Sequence, residues 1–137
     1  MRITHSHDPH GVSENRSDSA NFTGEVWANP ILPVVGDGAG VLDVFFMPGG
    51  RTYWHSHSGG QFIQVKAGKG LVCKSGDTAV QLAAGDVVWA PAEELHWHGA
   101  RPDSTLVHTA VSLGKTNWGE EVSAEDYERA AAETAGE

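Results

Sequence analysis

The chain of 137 residues has little of three things that would each mark a class of protein. It has one cysteine, Cys73, so no disulfide can form within it, which agrees with a reducing compartment. It has 9 Lys and Arg against 18 Asp and Glu, a net charge of -9, and this argues against a nucleic-acid partner. It has no run of about 18 apolar residues and no apolar amino-terminal signal, so we expect a cytoplasmic protein that does not span a membrane.

The chain is predicted to form one domain behind a tail. Residues 1–20 are polar and poor in large apolar side chains, so a flexible tail is expected there. Residues 21–137 are predicted to be a single domain. From Phe22 to Pro33 we expect an extended arm, because Pro30 and Pro33 cannot donate a hydrogen bond within a central strand.

Short strand-like segments separated by glycine-rich turns follow the arm. The predicted strands are Val41 to Met47, Thr52 to His57, Gln61 to Ala67, Gly70 to Lys74, Ala79 to Leu82, Asp86 to Ala90, His96 to Gly99 and Leu106 to Ser112. Because no helices alternate with them, the sequence predicts an all-β sandwich or barrel. One helix is predicted at about residues 123–133, where Ser123 and Asp126 resemble a capping box.

Histidines are concentrated in two of these segments. His55 and His57 are one residue apart in a predicted strand, so both point to one face with their rings roughly 6 to 7 Å apart. Gln61 follows, and His96 belongs to the second segment. Imidazole nitrogens and an amide oxygen are ligands for a divalent metal. Taken alone, however, a His-x-His pair is equally typical of a polar strand face.

The spacing of these residues resembles the two motifs of the cupin superfamily. The matching positions are Gly49, His55, His57, Gly68, Gly85, Pro91 and His96. Gln61 stands where the first motif usually has glutamate, and Glu93 and Ala100 replace a glycine and an asparagine of the second. The resemblance implies a jelly-roll barrel with one divalent metal per chain. The implied ligands are His55, His57, Gln61 and His96.

A narrower resemblance runs from about Phe22 to Ala130. Residues 51–61, 85–102 and 118–130 are similar to small bacterial cupins that include manganese-dependent hydroxynitrile lyases. This resemblance implies manganese, although the same ligand types accept iron, nickel, zinc or copper.

Two further histidines are candidate catalytic residues. The narrower resemblance implies that His108 transfers protons in the pocket. His98 lies two residues from His96 and is predicted to face the same barrel interior. By its position alone, His98 is equally typical of a hydrogen-bonded, partly buried histidine, whereas His108 is more typical of a buried histidine with a hydrogen-bond partner than of a catalytic base.

These observations lead to the hypothesis of a metal-dependent enzyme that acts on a small molecule. The resemblance indicates a lyase that cleaves or forms cyanohydrins. A non-haem iron dioxygenase and a non-catalytic sensor of a small ligand or metal are the alternatives. Trp54 and Trp97 face away from the histidines, so their rings need cover from the amino-terminal arm or from another subunit. The second of these predicts a homodimer or a higher homo-oligomer.

Overall fold

The computed structural model describes residue 1 and residues 3–5, 13–32 and 38–136. These residues form twelve strands and one helix. The strands are β1 (Glu14–Asn15), β2 (Phe22–Thr23), β3 (Val26–Leu32), β4 (Ala39–Phe46), β5 (Arg51–Thr52), β6 (His55–His57), β7 (Gln61–Lys74), β8 (Val80–Ala83), β9 (Val87–Ala90), β10 (His96–Ala100), β11 (Leu106–Leu113) and β12 (Thr116–Trp118), and the helix is α1 (Ala124–Glu133). The predicted all-β barrel with one carboxy-terminal helix is confirmed.

The strands pair antiparallel in the order β1-β3-β4-β11-β7-β10-β5-β2. β7 belongs to both sheets, because its first half pairs with β9 and β11 and its second half with β8 and β10. It bends at Gly68, which has a φ of 80° and lies so close to the Thr105 carbonyl that a Cβ atom would collide with it. The two strands predicted on either side of Gly68 are therefore one strand.

An apolar core lies between the two sheets. Its buried side chains are Phe22, Val26, Val44, Phe46, Val65, Leu82, Ala100 and Leu106. Phe46 also contacts two histidine rings, with centroids 6.0 Å from His98 and 5.2 Å from His108. The core therefore forms one wall of the histidine cluster described below.

Helix α1 begins where the capping pattern predicted. The Ser123 hydroxyl accepts a hydrogen bond from the Asp126 amide at 3.0 Å, which satisfies one of the free donors at the helix start. The Tyr127 hydroxyl donates to the Ala100 carbonyl at 2.6 Å and so ties α1 to β10. In the described part of the chain, no helix is long and apolar enough to cross a membrane.

A second apolar cluster lies between α1 and the outer face of the sheet. Trp97 is only 1% exposed there, packed with Leu71 and Tyr127, and Trp54 packs against the same cluster. The expectation that the amino-terminal arm covers these rings is wrong, because α1 supplies the cover. Trp97 therefore gives no indication of a subunit interface.

The amino-terminal segments join the sheet as strands. β1 lies within residues 1–20, which were predicted to be a flexible tail, and it pairs with Trp27 and Ala28 of β3. Residues 2 and 6–12 of the predicted tail lie outside the described residues. The predicted arm forms β2 and β3. Pro30 fits in β3 because its nitrogen lies on the same side of the strand as the Val26 N–H, which bonds to Ser17 rather than to β4, and among the described strands β1 pairs with β3 only at Trp27 and Ala28. Pro33 lies outside the described residues.

Candidate active site

Four strands bring all six candidate site residues into one buried cluster. β6 supplies His55 and His57, β7 begins with Gln61, β10 supplies His96 and His98, and β11 supplies His108. His55 and His57 share a face, as strand alternation predicted, and their ring centroids are 5.0 Å apart. His96 reaches the same place because it is the register partner of His55.

His55 lies at the centre of this cluster. Its ring centroid is 4.4 Å from that of His96 and 5.1 Å from that of His98. One ring nitrogen from each of these three histidines lies within 4.8 Å of the others, so together they could hold one metal ion. His57 lies outside this three-histidine group, and its buried Nε2 has no hydrogen-bond partner in the part of the chain that the structure describes.

Backbone carbonyls determine which ring nitrogen carries the proton in two of the histidines. The Nδ1 of His55 lies 2.9 Å from the Tyr53 carbonyl, and the Nδ1 of His96 lies 2.9 Å from the Glu94 carbonyl. A carbonyl oxygen only accepts, so each Nδ1 is the donor and, in the neutral ring, each Nε2 keeps a free lone pair. These lone pairs point toward the centre of the cluster, where a cation would bind.

Gln61 adds a further acceptor atom. Its Nε2 donates to the Ser112 hydroxyl at 3.2 Å, which turns its Oε1 toward His96, 2.9 Å from that ring's Nε2. With the His96 ring neutral, two acceptor atoms thus face each other in a buried space. Such an arrangement is repulsive unless a positive charge lies between or beside the two atoms, so the donor set fits a metal ion.

The electrostatics of the cluster keep these rings neutral. Burial, together with the charge that His96 would carry, lowers the pKa of His55 to about 3 and that of His57 to about 4. Burial also lowers the pKa of His96. At neutral pH the three rings therefore present lone pairs rather than protons, as metal ligands must.

His98 and His108 form a hydrogen-bonded pair within this cluster. The Nδ1 of His98 lies 2.9 Å from the Nε2 of His108, so one ring donates and the other accepts. The outer nitrogens of the pair, His98 Nε2 and His108 Nδ1, are buried and have no hydrogen-bond partner among the described residues. Burial lowers the pKa of His98 well below its ordinary value and that of His108 to about 4. The pair is thus neutral and has a shared hydrogen bond along which a proton can move.

A cavity of about 490 Å³ is lined by five of the six candidate residues, all but His96. The polar part of its wall consists of His55, His57, Gln61, His98, His108, Ser112 and Thr116, and the apolar part includes Phe22, Leu42, Val44, Ala110 and Trp118. This volume is in the range of small-molecule sites, and the wall is divided between a histidine side and an apolar side.

The site also contains residues that sequence reasoning missed. β12 was not predicted, yet it pairs with β6 and brings Thr116 and Trp118 to the cavity. The Thr116 hydroxyl lies 3.0 Å from His57 Nδ1, and the Trp118 ring centroid is 4.8 Å from that of His55. The available signal was a Gly114 turn followed by Thr and Trp at alternate positions, although three residues are too few to predict a strand.

Comparisons with known proteins agree with this architecture. The family model described as a cupin domain matches residues 42–112. An (R)-mandelonitrile lyase from Granulicella tundricola is 40% identical over 116 residues, which cover 79% of this chain and 86% of that protein. Both resemblances drawn from the motifs are thereby confirmed.

Solved structures give the same result for the fold. A cupin-like protein from Thermotoga maritima superposes with a TM-score of 0.83 at 39% identity, over 95% of this chain and 100% of its own. The polyketide cyclase RemF from Streptomyces resistomycificus superposes with a TM-score of 0.71 at 17% identity, over 93% of this chain and 92% of its own. The second likeness concerns the fold alone.

Proposed function

Because the chain belongs to the cupin domain family, we propose that it is a metal-dependent lyase of hydroxynitrile lyase type, which cleaves cyanohydrins to an aldehyde and hydrogen cyanide. The observation that carries this proposal is that His55, His57 and Gln61, whose acceptor atoms converge with those of His96, line the same cavity as a hydrogen-bonded histidine pair. The acceptors suit a cation and the pair suits proton transfer. The similarity to an (R)-mandelonitrile lyase supports the substrate class.

The proposed ligands are His55, His57, Gln61 and His96. Bound there, a divalent ion would polarise the oxygen of the substrate as a Lewis acid. All four ligands are neutral, so the protein does not offset the charge of the ion as a carboxylate ligand would. Manganese is the ion that the resemblance implies, and iron, nickel, zinc and copper suit the same donor types.

His98 and His108 are the proposed proton-transfer residues. Cleavage takes the proton from the substrate hydroxyl, the electron pair of the carbon–carbon bond leaves with cyanide, and cyanide takes up a proton. His98 can accept the first proton at Nε2 and pass its Nδ1 proton to His108 Nε2, 2.9 Å away. The same pair returns a proton to cyanide. The reverse sequence describes addition of cyanide to an aldehyde.

The apolar side of the cavity provides a place for the rest of the substrate. Phe22 and Trp118 lie next to each other, with ring centroids 5.6 Å apart, and Leu42 and Val44 line the same space. A flat aromatic group bound here would exclude water and contact these rings. We therefore propose an aryl cyanohydrin rather than a small aliphatic one.

Mandelonitrile cleavage, followed by the absorbance of benzaldehyde, tests the proposed function. Metal-loaded protein is expected to release benzaldehyde, and chelation is expected to stop the release. Oxygen consumption with aromatic diols, measured in parallel, tests the dioxygenase alternative. Oxygen uptake without benzaldehyde release would contradict the lyase hypothesis and favour the dioxygenase. No activity in either assay would also contradict the proposal and would favour a non-catalytic sensor.

Ser112 is expected to position the amide of Gln61. The Ser112 hydroxyl accepts from the Gln61 NH₂ group and so keeps the amide oxygen, not the nitrogen, turned toward the metal ligands. We expect Ser112→Ala to weaken metal affinity about 10- to 100-fold, the usual effect of losing a group that orients a ligand. Ser112→Thr keeps the hydroxyl and should restore the affinity. A competition titration with a metal-binding dye measures the effect without an activity assay.

A Gln61→Glu background provides the matched control for Ser112. A carboxylate presents an oxygen whichever way it is turned, so Ser112→Ala should then change affinity by no more than about twofold, the scatter of independent sites. Gln61→Glu itself should bind the ion at least as tightly but turn over more slowly, because its negative charge weakens polarisation of the substrate. Equal losses in both backgrounds would show that Ser112 does not act through the amide.

A further inference from the structure

The wall of the cavity contains one pair of oppositely charged side chains. Among the described residues that line it, Glu14 is the only acidic one, and Arg16 is the only basic one besides the histidines. The Arg16 guanidinium donates to the Glu14 carboxylate at 2.8 Å. We propose that this Glu14–Arg16 pair binds a hydroxyl group on the aryl ring of the substrate. The inference rests on the proposed function, because it defines the substrate of the same cavity more narrowly.

The pair lies across the cavity from the proposed proton-transfer residue His108. Glu14 is the register partner of Ala28, and Ala28 is the partner of Val44. Val44 is in turn the partner of His108, and opposed residues of neighbouring strands point to the same face. Three strand spacings separate Glu14 from His108 by about 14 Å along the sheet. A substrate that reacts at the histidines therefore meets the pair with the part of its ring that is remote from the reacting carbon.

Backbone hydrogen bonds fix the position of the pair at the edge of the sheet. The Arg16 amide donates to the Val26 carbonyl at 2.8 Å, and the Val26 amide donates to the Ser17 hydroxyl at 3.0 Å. On the other side of Arg16, the Asn15 side chain accepts from the Ser17 amide at 2.9 Å. The backbone that carries the guanidinium is thus held against β3, and a ligand would not have to order it.

The cavity is larger than a single aromatic ring requires. A dry cavity of about 150 Å³ is enough to bind benzene. The cavity of this protein measures about 490 Å³, and Phe22 and Trp118 belong to its apolar wall. A ring bound against these two side chains therefore leaves room for a substituent that extends to the Glu14–Arg16 pair.

The charges of the pair favour a neutral substituent that both donates and accepts. In the described part of the chain, Glu14 is the only hydrogen-bond partner of the Arg16 side chain, so the guanidinium keeps free N–H donors and the carboxylate keeps free lone pairs. A carboxylate on the substrate would accept from Arg16 but would lie beside the like charge of Glu14, and an ammonium would meet the reverse conflict. A hydroxyl accepts from Arg16 and donates to Glu14 without either conflict. On an aryl cyanohydrin this group is a meta or para phenolic hydroxyl.

Calorimetric binding of unreactive substrate analogues tests this inference. Benzyl alcohol keeps the hydroxyl on the reacting carbon but has no cyanide to lose, so its affinity is measured without turnover. We expect meta- or para-hydroxybenzyl alcohol to bind metal-loaded protein about 10-fold more tightly than benzyl alcohol, the usual effect of a hydrogen bond to a charged group. para-Methoxybenzyl alcohol has an acceptor but no donor there, so it should lose most of this gain.

Two variants separate the contributions of the pair. In Arg16→Met the preference for the hydroxybenzyl alcohols should disappear. In Glu14→Gln the anion para-(hydroxymethyl)benzoate should bind about 10-fold more tightly than it binds wild-type protein, because no carboxylate repels it. Arg129→Met is the matched control, since Arg129 forms an ion pair with Asp126 but does not line this cavity, and it should keep the wild-type preference. Circular dichroism checks that each variant is folded.

Equal affinities of benzyl alcohol and both hydroxybenzyl alcohols would overturn the inference, and so would a preference that Arg16→Met retains. Failure of the proposed function gives a different result, because mandelonitrile has no ring hydroxyl. Mandelonitrile cleavage without a hydroxyl preference would leave the lyase in place and remove the role of the pair. A hydroxyl preference that depends on Arg16, in a protein that cleaves no cyanohydrin, would support the binding site and contradict the lyase.

Discussion

His96→Ala is expected to strip the metal from the protein. The Nε2 of His96 lies 2.9 Å from the Gln61 amide oxygen, and its ring lies against that of His55, so the change removes one ligand and loosens two others. Metal content should fall from about one ion per chain to less than about a tenth, because the two imidazoles and one amide oxygen that remain are a weak ligand set for an ion such as manganese, which lies at the low end of the affinity order. Elemental analysis of protein purified without chelator measures this directly.

The control for this variant is a histidine outside the cluster. His5 is exposed, so His5→Ala should keep full metal content after the same purification. The circular dichroism of His96→Ala should still show the β-rich fold, which separates loss of a ligand from loss of the barrel. Full loading of a folded His96→Ala protein would show that the proposed ligand set is wrong.

His108→Ala is expected to slow turnover and leave the metal in place. His108 is not a proposed ligand and is hydrogen-bonded to His98 at 2.9 Å, so its loss removes the end of the proton path without removing a ligand. We expect turnover to fall about 10²- to 10⁴-fold, the usual cost of losing a general base. Steady-state mandelonitrile cleavage and elemental analysis of the same sample measure both effects.

Two further variants separate proton transfer from packing. In His108→Gln, the glutamine amide can still hydrogen-bond to His98 but does not take up a proton. Turnover of this variant should therefore be about as slow as that of His108→Ala. Thr109→Ala, on the outward side of the same strand, should retain turnover. Normal turnover in His108→Ala, or a fall that only follows metal loss, would remove His108 from the mechanism.

The grouping of the candidate residues could be predicted because it depends on local rules. Strand alternation places His55 and His57 on one face, and motif spacing places Gln61 and His96 near them. The pattern of short strands and turns likewise predicted an all-β fold, and the capping pattern at Ser123 predicted the start of α1.

Long-range pairing explains what could not be predicted. Thr116 and Trp118 reach the cavity because β12 pairs with β6, and no local pattern specifies the partner of a three-residue strand. His98 and His108 meet across the barrel from β10 and β11, which are not neighbours in the sheet. The prediction that the amino-terminal arm covers Trp97 was wrong for the same reason. A side chain on the outer face of a strand does not indicate which element packs on it, and here that element is α1.

The most direct test of a metal-dependent lyase is a titration of the chelated protein with manganese, in which mandelonitrile cleavage is followed against bound ions per chain. The expected result is no cleavage without metal, a linear rise as the convergent site around His55 fills, and a plateau at about one ion per chain, because the described site can hold one ion. Cleavage by fully chelated protein, or no cleavage when one ion is bound, would contradict it.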